Sequence, residues 1–208
     1  LSRDIRLTTD QQLQEEFIMQ TGLKYLGALG GCAALLATVA LATESRSPAK
    51  QDKYTVKVPG GLAFSEFKGY ESWQVVSVSH NAKAIAVIVG NPVMIKAYEA
   101  GIPANGKPVP DGARMAKVHW VPKQNKFFPD ATVPGEQHDV DFMVKDSKRF
   151  GDVGGWGYGA FRYDPATDTF TPATTADQPP QANDAKCGVA CHTIAKNTDF
   201  VFTEYGHR

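Results

Sequence analysis

The sequence predicts an α+β domain in which antiparallel β-sheet predominates and helices are few and short. Two observations carry this. Short runs rich in β-branched and aromatic residues recur between clusters of Gly, Pro, Asn and Asp. Helix start and stop signals bracket only a short segment near the middle of the chain.

Trp73–Ser79 and Ala84–Val89 read as strands, separated by a polar corner at His80-Asn81. Asn91-Pro92 then opens a short helix through Tyr98 and Glu99, because Asn caps well and Pro suits the first turn; Gly101 stops it. Pro- and Gly-rich sequence from Gly101 to Gly112 leads into Ala113–Val121, which alternates as a strand does. On it Met115, Lys117 and His119 share one face, with Ala116, Val118 and Trp120 on the other. Asp139–Val144 is a further strand, followed by a basic turn from Lys145 to Arg149. Trp156–Tyr163 alternates large aromatics with Gly and Ala, as a strand closely approached by a flat group would, although core packing explains the same pattern. Asp164–Thr169 is a turn, and a Gln/Pro/Asn-rich loop precedes the C-terminal segment. Phe127, Phe128, Phe142 and Phe161 read as core residues.

The chain of 208 residues, 42% hydrophobic, can bury one sizeable core. Lys+Arg and Asp+Glu are 22 each, so no global field draws it to nucleic acid or an acidic membrane.

Leu26–Ala42 is an apolar run behind Lys24 that ends in Ala40-Leu41-Ala42, a small-x-small cleavage pattern. Counted from Met19 it makes an export signal spanning 19–42, with Thr43 as the mature N-terminus and residues 43–52 as a polar linker before one domain at 53–208. Residues 1–18 are polar and precede Met19; Gln14-Glu15-Glu16 suits a purine-rich ribosome-binding stretch, so this segment reads as a non-native upstream extension. Two rivals stand beside cleavage: an uncleaved anchor facing the periplasm, and lipid processing at Cys32 within Leu29-Gly30-Gly31-Cys32. Cleavage leaves Cys187 and Cys191 as the thiols of the mature chain.

Those two thiols stand in Cys187-Gly188-Val189-Ala190-Cys191-His192. Two cysteines ahead of a histidine are what covalent haem attachment needs: each thiol adds across a vinyl group, and the imidazole is placed under the iron. The usual spacing leaves two residues between the cysteines, whereas here there are three, so the expectation is a local bulge that lets both sulfurs reach their vinyls. A tight Cys187–Cys191 disulfide in an oxidising compartment and a zinc site are the alternatives. Zinc fits poorly, because no second Cys/His pair completes a closed tetrahedral site.

Four stretches, in order, resemble the cytochrome P-460 family: GYESWQVVSV, PDGARMAKVHW, VKDSKRFGDVGGWGYGAF and KCGVACHTIAKNTDFVFTEYG. The likeness runs from Gly69 to Tyr205. That family comprises periplasmic mono-haem proteins, both hydroxylamine oxidases and gas-binding cytochrome c-prime-beta relatives. The resemblance implies a largely antiparallel β-protein with helices on one side, usually a homodimer, carrying one covalently bound haem c.

Carried over by residue, the resemblance implies that Cys187 and Cys191 hold the haem and that His192 is the proximal iron ligand. Lys117 falls where the oxidases have a lysine bonded to the porphyrin edge, and Asp141 where they place a glutamate that accepts protons from hydroxylamine. Asp is one methylene shorter, and Ala84–Val89 lacks an arginine associated with the oxidase pocket. Surface readings of Lys117 and Asp141 stand beside these. His80 and His138 border turns and His207 lies in the tail, while His119 or Met115 could supply a second axial ligand.

Three functions compete on these grounds. The first is hydroxylamine oxidation to nitrous oxide or nitric oxide at a five-coordinate haem, with electrons passed to a soluble acceptor cytochrome. The second is non-catalytic nitric oxide binding. The third is simple electron transfer with both axial positions filled.

Overall fold

A computed structural model describes residues 49–58, 61–173 and 185–207. The expected upstream extension, export signal and Cys32, the first part of the linker and most of the loop before the cysteine motif lie outside the described residues.

Six antiparallel strands form one sheet in simple sequence order: β1 (Gln74–His80), β2 (Ile85–Gly90), β3 (Arg114–Gln124), β4 (Thr132–Lys145), β5 (Trp156–Asp164) and β6 (Thr169–Pro172). Helix α1 (Pro92–Glu99) connects β2 to β3, and α2 (Ala185–His192) follows the sheet. The predicted class, α+β with antiparallel sheet predominant, is the class observed.

Turn chemistry explains the connections. Asn81 Oδ1 accepts the N–H groups of Lys83 (2.8 Å) and Ala84 (3.0 Å), which closes the β1–β2 corner. Asn91 does more than cap α1. Its buried Oδ1 accepts from Met94 N and from Arg114 N, both at 3.0 Å, and its Nδ2 donates to Gly112 O at 2.9 Å. One amide thus ties the end of β2, the start of α1 and the start of β3.

The two faces of the sheet carry separate cores. On the first, Val89, Ala116, Val140, Phe142, Val144, Phe161 and Phe170 pack against the 3₁₀ turns Phe64–Phe67 and Tyr70–Ser72. Phe67 and Phe142 stack there with ring centres 4.0 Å apart. On the second, Ile88, Met115, Trp156 and Tyr158 pack with Met94 and Ile95 of α1, Val189 of α2, and Val201. Both α-helices therefore lie on one side, as the family resemblance implies, and 3₁₀ turns cover the other.

The structure departs from the sequence reading in four places. Strand β4 begins at Thr132, seven residues before the predicted start, and β3 runs on to Gln124. Pro122, Pro134 and Gly135 argue against strand, but the two prolines oppose each other across the β3–β4 pair, and Gly135 sits where a Cβ would come within 2.5 Å of Val121 O. Phe127 and Phe128, expected in the core, are exposed (89% and 64%) at the tip of this hairpin. Lys145, assigned to a basic turn, ends β4 and is buried. Strand β6, of which the sequence reading assigns only Thr169, to a turn, pairs with β5 from Asp164↔Thr169 to Phe161↔Pro172.

The flat groups that approach Trp156–Tyr163 are side-chain rings. A Cβ at Gly157 would stand 2.5 Å from Phe150 Cζ, and one at Gly154 2.5 Å from Phe200 Cζ. The core-packing explanation of that pattern holds for both.

Candidate functional site

Between the second face of the sheet and the C-terminal segment lies a cavity of about 700 Å³, within the range of ligand sites. Strand register brings its sheet wall together. Ile88, Lys117 and Asp141 stand side by side on β2, β3 and β4, in one cross-strand row that continues to Ala160 on β5. Met115 and Met143 form the next paired row, and Ser77 and Ser79 border the cavity from β1. The opposite wall comes from Cys191, His192 and the stretch Val201–Glu204. Lys117, Asp141, Cys191 and His192, remote in sequence, thus border one space. Cys187 lies one helical turn before Cys191 and is exposed.

The cysteine motif contains no bulge. Residues 185–192 form a regular α-helix, which overturns the expected local distortion. The reason is helical periodicity: residues four apart lie about 40° apart around the axis. Three intervening residues therefore keep Cys187 and Cys191 on the same side of α2. Gly188 seats the helix on β5, since a Cβ there would stand 2.5 Å from Tyr158 Cβ and 2.7 Å from its Cδ1. The two sulfurs are not joined in a disulfide.

His192 is held on three sides. Its Nδ1 is 2.7 Å from the carbonyl of Phe200, so Nδ1 carries the proton and donates it, and Nε2 is left for a metal. The rings of Tyr158 and Phe202 each lie 4.9 Å from the imidazole centre. Burial pushes its pKa below the usual histidine value; the Phe200 carbonyl opposes this, Lys117 adds to it and Asp141 opposes it. A neutral imidazole with one committed nitrogen is the form in which histidine binds a metal.

Asp141 is half exposed on its side chain (49%), and its Oδ2 lies 3.0 Å from His119 Nε2. His119 approaches Asp139 as well, at 3.8 Å, and Asp139 in turn meets His138 Nδ1 at 2.7 Å. His119 is thus engaged with carboxylates beside the cavity. Among the described residues, His119, Asp139 and Asp141 have metal-ligand proximity, and this group includes neither cysteine.

Sequence reasoning missed part of the lining: Ser77, Ser79, Met143, Thr203 and Glu204 carry no signal in spacing alone. Phe202 was within reach, because it alternates with buried Val201.

Beyond the C-terminal wall the chain turns sharply. Asp199 (φ 49°) and Phe200 (φ 65°) are consecutive non-glycine residues in the left-handed region. Asp199 accepts from buried Lys145 Nζ with both oxygens at 2.9 Å, and from Val109 N at 2.7 Å. Trp156 Nε1 donates to Asp199 O at 2.8 Å.

A largely antiparallel sheet whose cavity is walled by a half-buried histidine and by Cys191, with Cys187 one turn earlier on the same helix, defines a domain suited to hold haem. The family model of Cytochrome P460 matches residues 67–203, more than half of the chain, and the protein belongs to that family. Membership makes it a haem protein. No curated protein matches the chain. The residues present fit the group: His192 offers Nε2, the thiols share a helical face beside it, and the cavity has room above the sheet.

Proposed function

We propose that this protein is an exported c-type haem oxidoreductase that oxidises hydroxylamine to nitrous oxide or nitric oxide and passes the electrons to a soluble acceptor cytochrome. His192 holds the iron through Nε2, and Cys187 and Cys191 hold one haem by thioether bonds. Bound there, the haem supplies an open coordination position for a small nitrogen ligand and a route for electrons. Asp141 accepts protons from hydroxylamine, and His119, 3.0 Å from its Oδ2, orients the carboxylate and can take the proton onward. Lys117 would be joined to the porphyrin edge, its amine losing a proton and a ring carbon its hydrogen as an external two-electron oxidant takes up the electrons. Supporting export is the segment 19–42, read as a cleaved signal; the proposed compartment is the periplasm and the proposed assembly a homodimer.

The observation that carries this reading is the register Lys117↔Asp141 on the cavity wall opposite His192. An amine and a carboxylate side by side supply the two groups the chemistry asks of the protein.

Nitric oxide binding without turnover is the second reading. It is favoured by Ile88, which stands directly across from Lys117 on β2 and leaves the cavity wall apolar where a cation would help hold a substrate. Simple electron transfer rests on Met115, whose thioether borders the cavity as a potential second ligand; His119, by contrast, is turned to Asp141.

Intact-mass spectrometry with a visible spectrum separates the readings. The expected result is one haem that survives acid-acetone extraction and a tryptic haem peptide joined to two chain segments, one containing residue 117. Lys117→Leu restores an ordinary c-type spectrum and abolishes hydroxylamine oxidation while leaving nitric oxide binding. Wild type without a cross-linked peptide, and without turnover when an oxidant is supplied, replaces the enzymatic reading with gas binding. Haem that extracts freely rules out thioether attachment.

A further inference from the structure

The proposed function leaves one device unused: a buried ion pair behind His192. Lys145 is buried at the end of β4 with its side chain 6% exposed, and its partner Asp199 is 15% exposed. Lysine is rarely buried without reason. Here Nζ lies 5.2 Å above the centre of the Trp156 ring and donates to Gly154 O, in the turn before β5, and to both oxygens of Asp199, in the turn at 199–200, each at 2.9 Å.

That second turn carries the strained pair Asp199–Phe200, and backbone in this region persists only where its surroundings over-determine it. The surroundings do so at four points. Lys145 and Val109 N hold the Asp199 carboxylate, Trp156 Nε1 holds its carbonyl, and Phe200 N donates to Ala195 O at 2.9 Å. Gly154 leaves space for the Phe200 ring where any side chain would collide. The next carbonyl along the chain, that of Phe200, accepts the His192 Nδ1–H at 2.7 Å.

We infer that the Lys145–Asp199 ion pair is a positioning device for the iron ligand: it fixes the Phe200 carbonyl and thereby the orientation and basicity of His192. The inference rests on the reading of His192 as the haem ligand. A hydrogen bond from Nδ1 to a fixed acceptor strengthens imidazole as a donor. Strong donation favours ferric over ferrous iron, so the pair holds the reduction potential down. Neither Lys145 nor Asp199 is among the residues bordering the cavity, so both act through the Phe200 carbonyl and not on substrate.

The test is the double variant Lys145→Met/Asp199→Asn in the haem-loaded protein, which removes both charges together and avoids leaving one buried and unpaired. The readouts are the iron–histidine stretching band of the ferrous form by resonance Raman and the reduction potential by spectroelectrochemistry. Expected are a fall in the stretching frequency and a tenfold shift of the redox equilibrium toward ferrous haem, about 59 mV upward for one electron. Trp156→Phe, which removes the bond to Asp199 O and keeps an aromatic ring, though a smaller one, beneath Lys145 Nζ, is the second variant and shifts both readouts in the same direction by less; it decides the matter where the double variant does not fold. A wild-type iron–histidine band that stays in place in folded variants overturns the proposal alone and leaves the pair a stability element. Absence of that band from a wild-type ferrous form whose visible spectrum is five-coordinate overturns the ligand reading and this proposal with it.

Discussion

Substituting Gly188 by Ala probes the seating of α2, on which the position of His192 depends. Two effects oppose each other. Ala is the better helix former, by about 0.8–1.0 kcal/mol in a helix interior. Against this, the new methyl would stand 2.5 Å from Tyr158 Cβ and 2.7 Å from Cδ1, where carbon atoms in contact prefer about 3.5–4.0 Å. Those atoms lie at the root of the side chain, close to a β5 backbone that is paired with β4 at Met143. Rotation of the ring cannot clear them, so α2 must lift by about 1 Å, the difference between those separations.

Overpacking of this kind costs about 1–3 kcal/mol. Set against the gain in helix propensity, the net is a loss of about 0–2 kcal/mol. Urea unfolding of the haem-loaded protein measures it, with the midpoint expected to fall at unchanged m-value. Lifting α2 also strains the His192–Phe200 contact at 2.7 Å, so the visible spectrum should shift along with stability. A variant as stable as wild type, or more so, with an unchanged spectrum, would refute the claim that close helix–strand contact at Gly188 sets the ligand's place.

Three further outcomes are expected. Asn91→Ala removes a helix cap and two additional bonds to β3 and its approach, and thermal or urea unfolding should show a loss of about 2–4 kcal/mol. Phe142→Ala empties the centre of the aromatic core between Phe67, Tyr70 and Phe161; unfolding should show about 3–5 kcal/mol lost, with the haem spectrum unmoved because the Phe142 ring packs on the other face of the sheet. Asp141→Asn should lower hydroxylamine turnover by about 10²–10⁴-fold in a steady-state assay with an oxidant, while the haem spectrum stays as in wild type.

Local rules made the outline of the sheet legible. Alternation placed Met115 and Lys117 on one face of β3 and Ala116 and Val118 on the other, and the two cores divide them in the same way. The Asn91-Pro92 signal marked α1 to the residue. Reading failed where a pairing partner overrides composition: Pro134 and Gly135 are tolerated in β4 because Pro122 and the Val121 carbonyl face them. It failed again at Lys145, since burial of a lysine depends on a carboxylate 54 residues away. In the site, chemistry marked Cys191 and His192, and family likeness marked Lys117 and Asp141. The acceptor on Phe200 is a backbone carbonyl, and no side-chain pattern announces one.

The two walls of the cavity are built in different ways, and this divides the labour between them. Ile88, Lys117 and Asp141 are fixed by strand register, so a change of side chain there alters chemistry without moving its neighbours. His192 stands on a short helix, and its orientation depends on three tertiary contacts: Gly188 against Tyr158, Nδ1 against the Phe200 carbonyl, and the Phe202 ring. None of these is secured by secondary structure alone. Substitutions of Ile88 and Asp141 should therefore act on substrate and leave the iron's spectrum in place, and on that wall Lys117 alone should move it, through its proposed bond to the porphyrin, whereas substitutions behind α2 should move potential and spectrum together. The three-residue gap between the cysteines belongs to the second class. It is accommodated by turning the motif into a continuous helix, and that helix reaches the sheet only because residue 188 has no side chain.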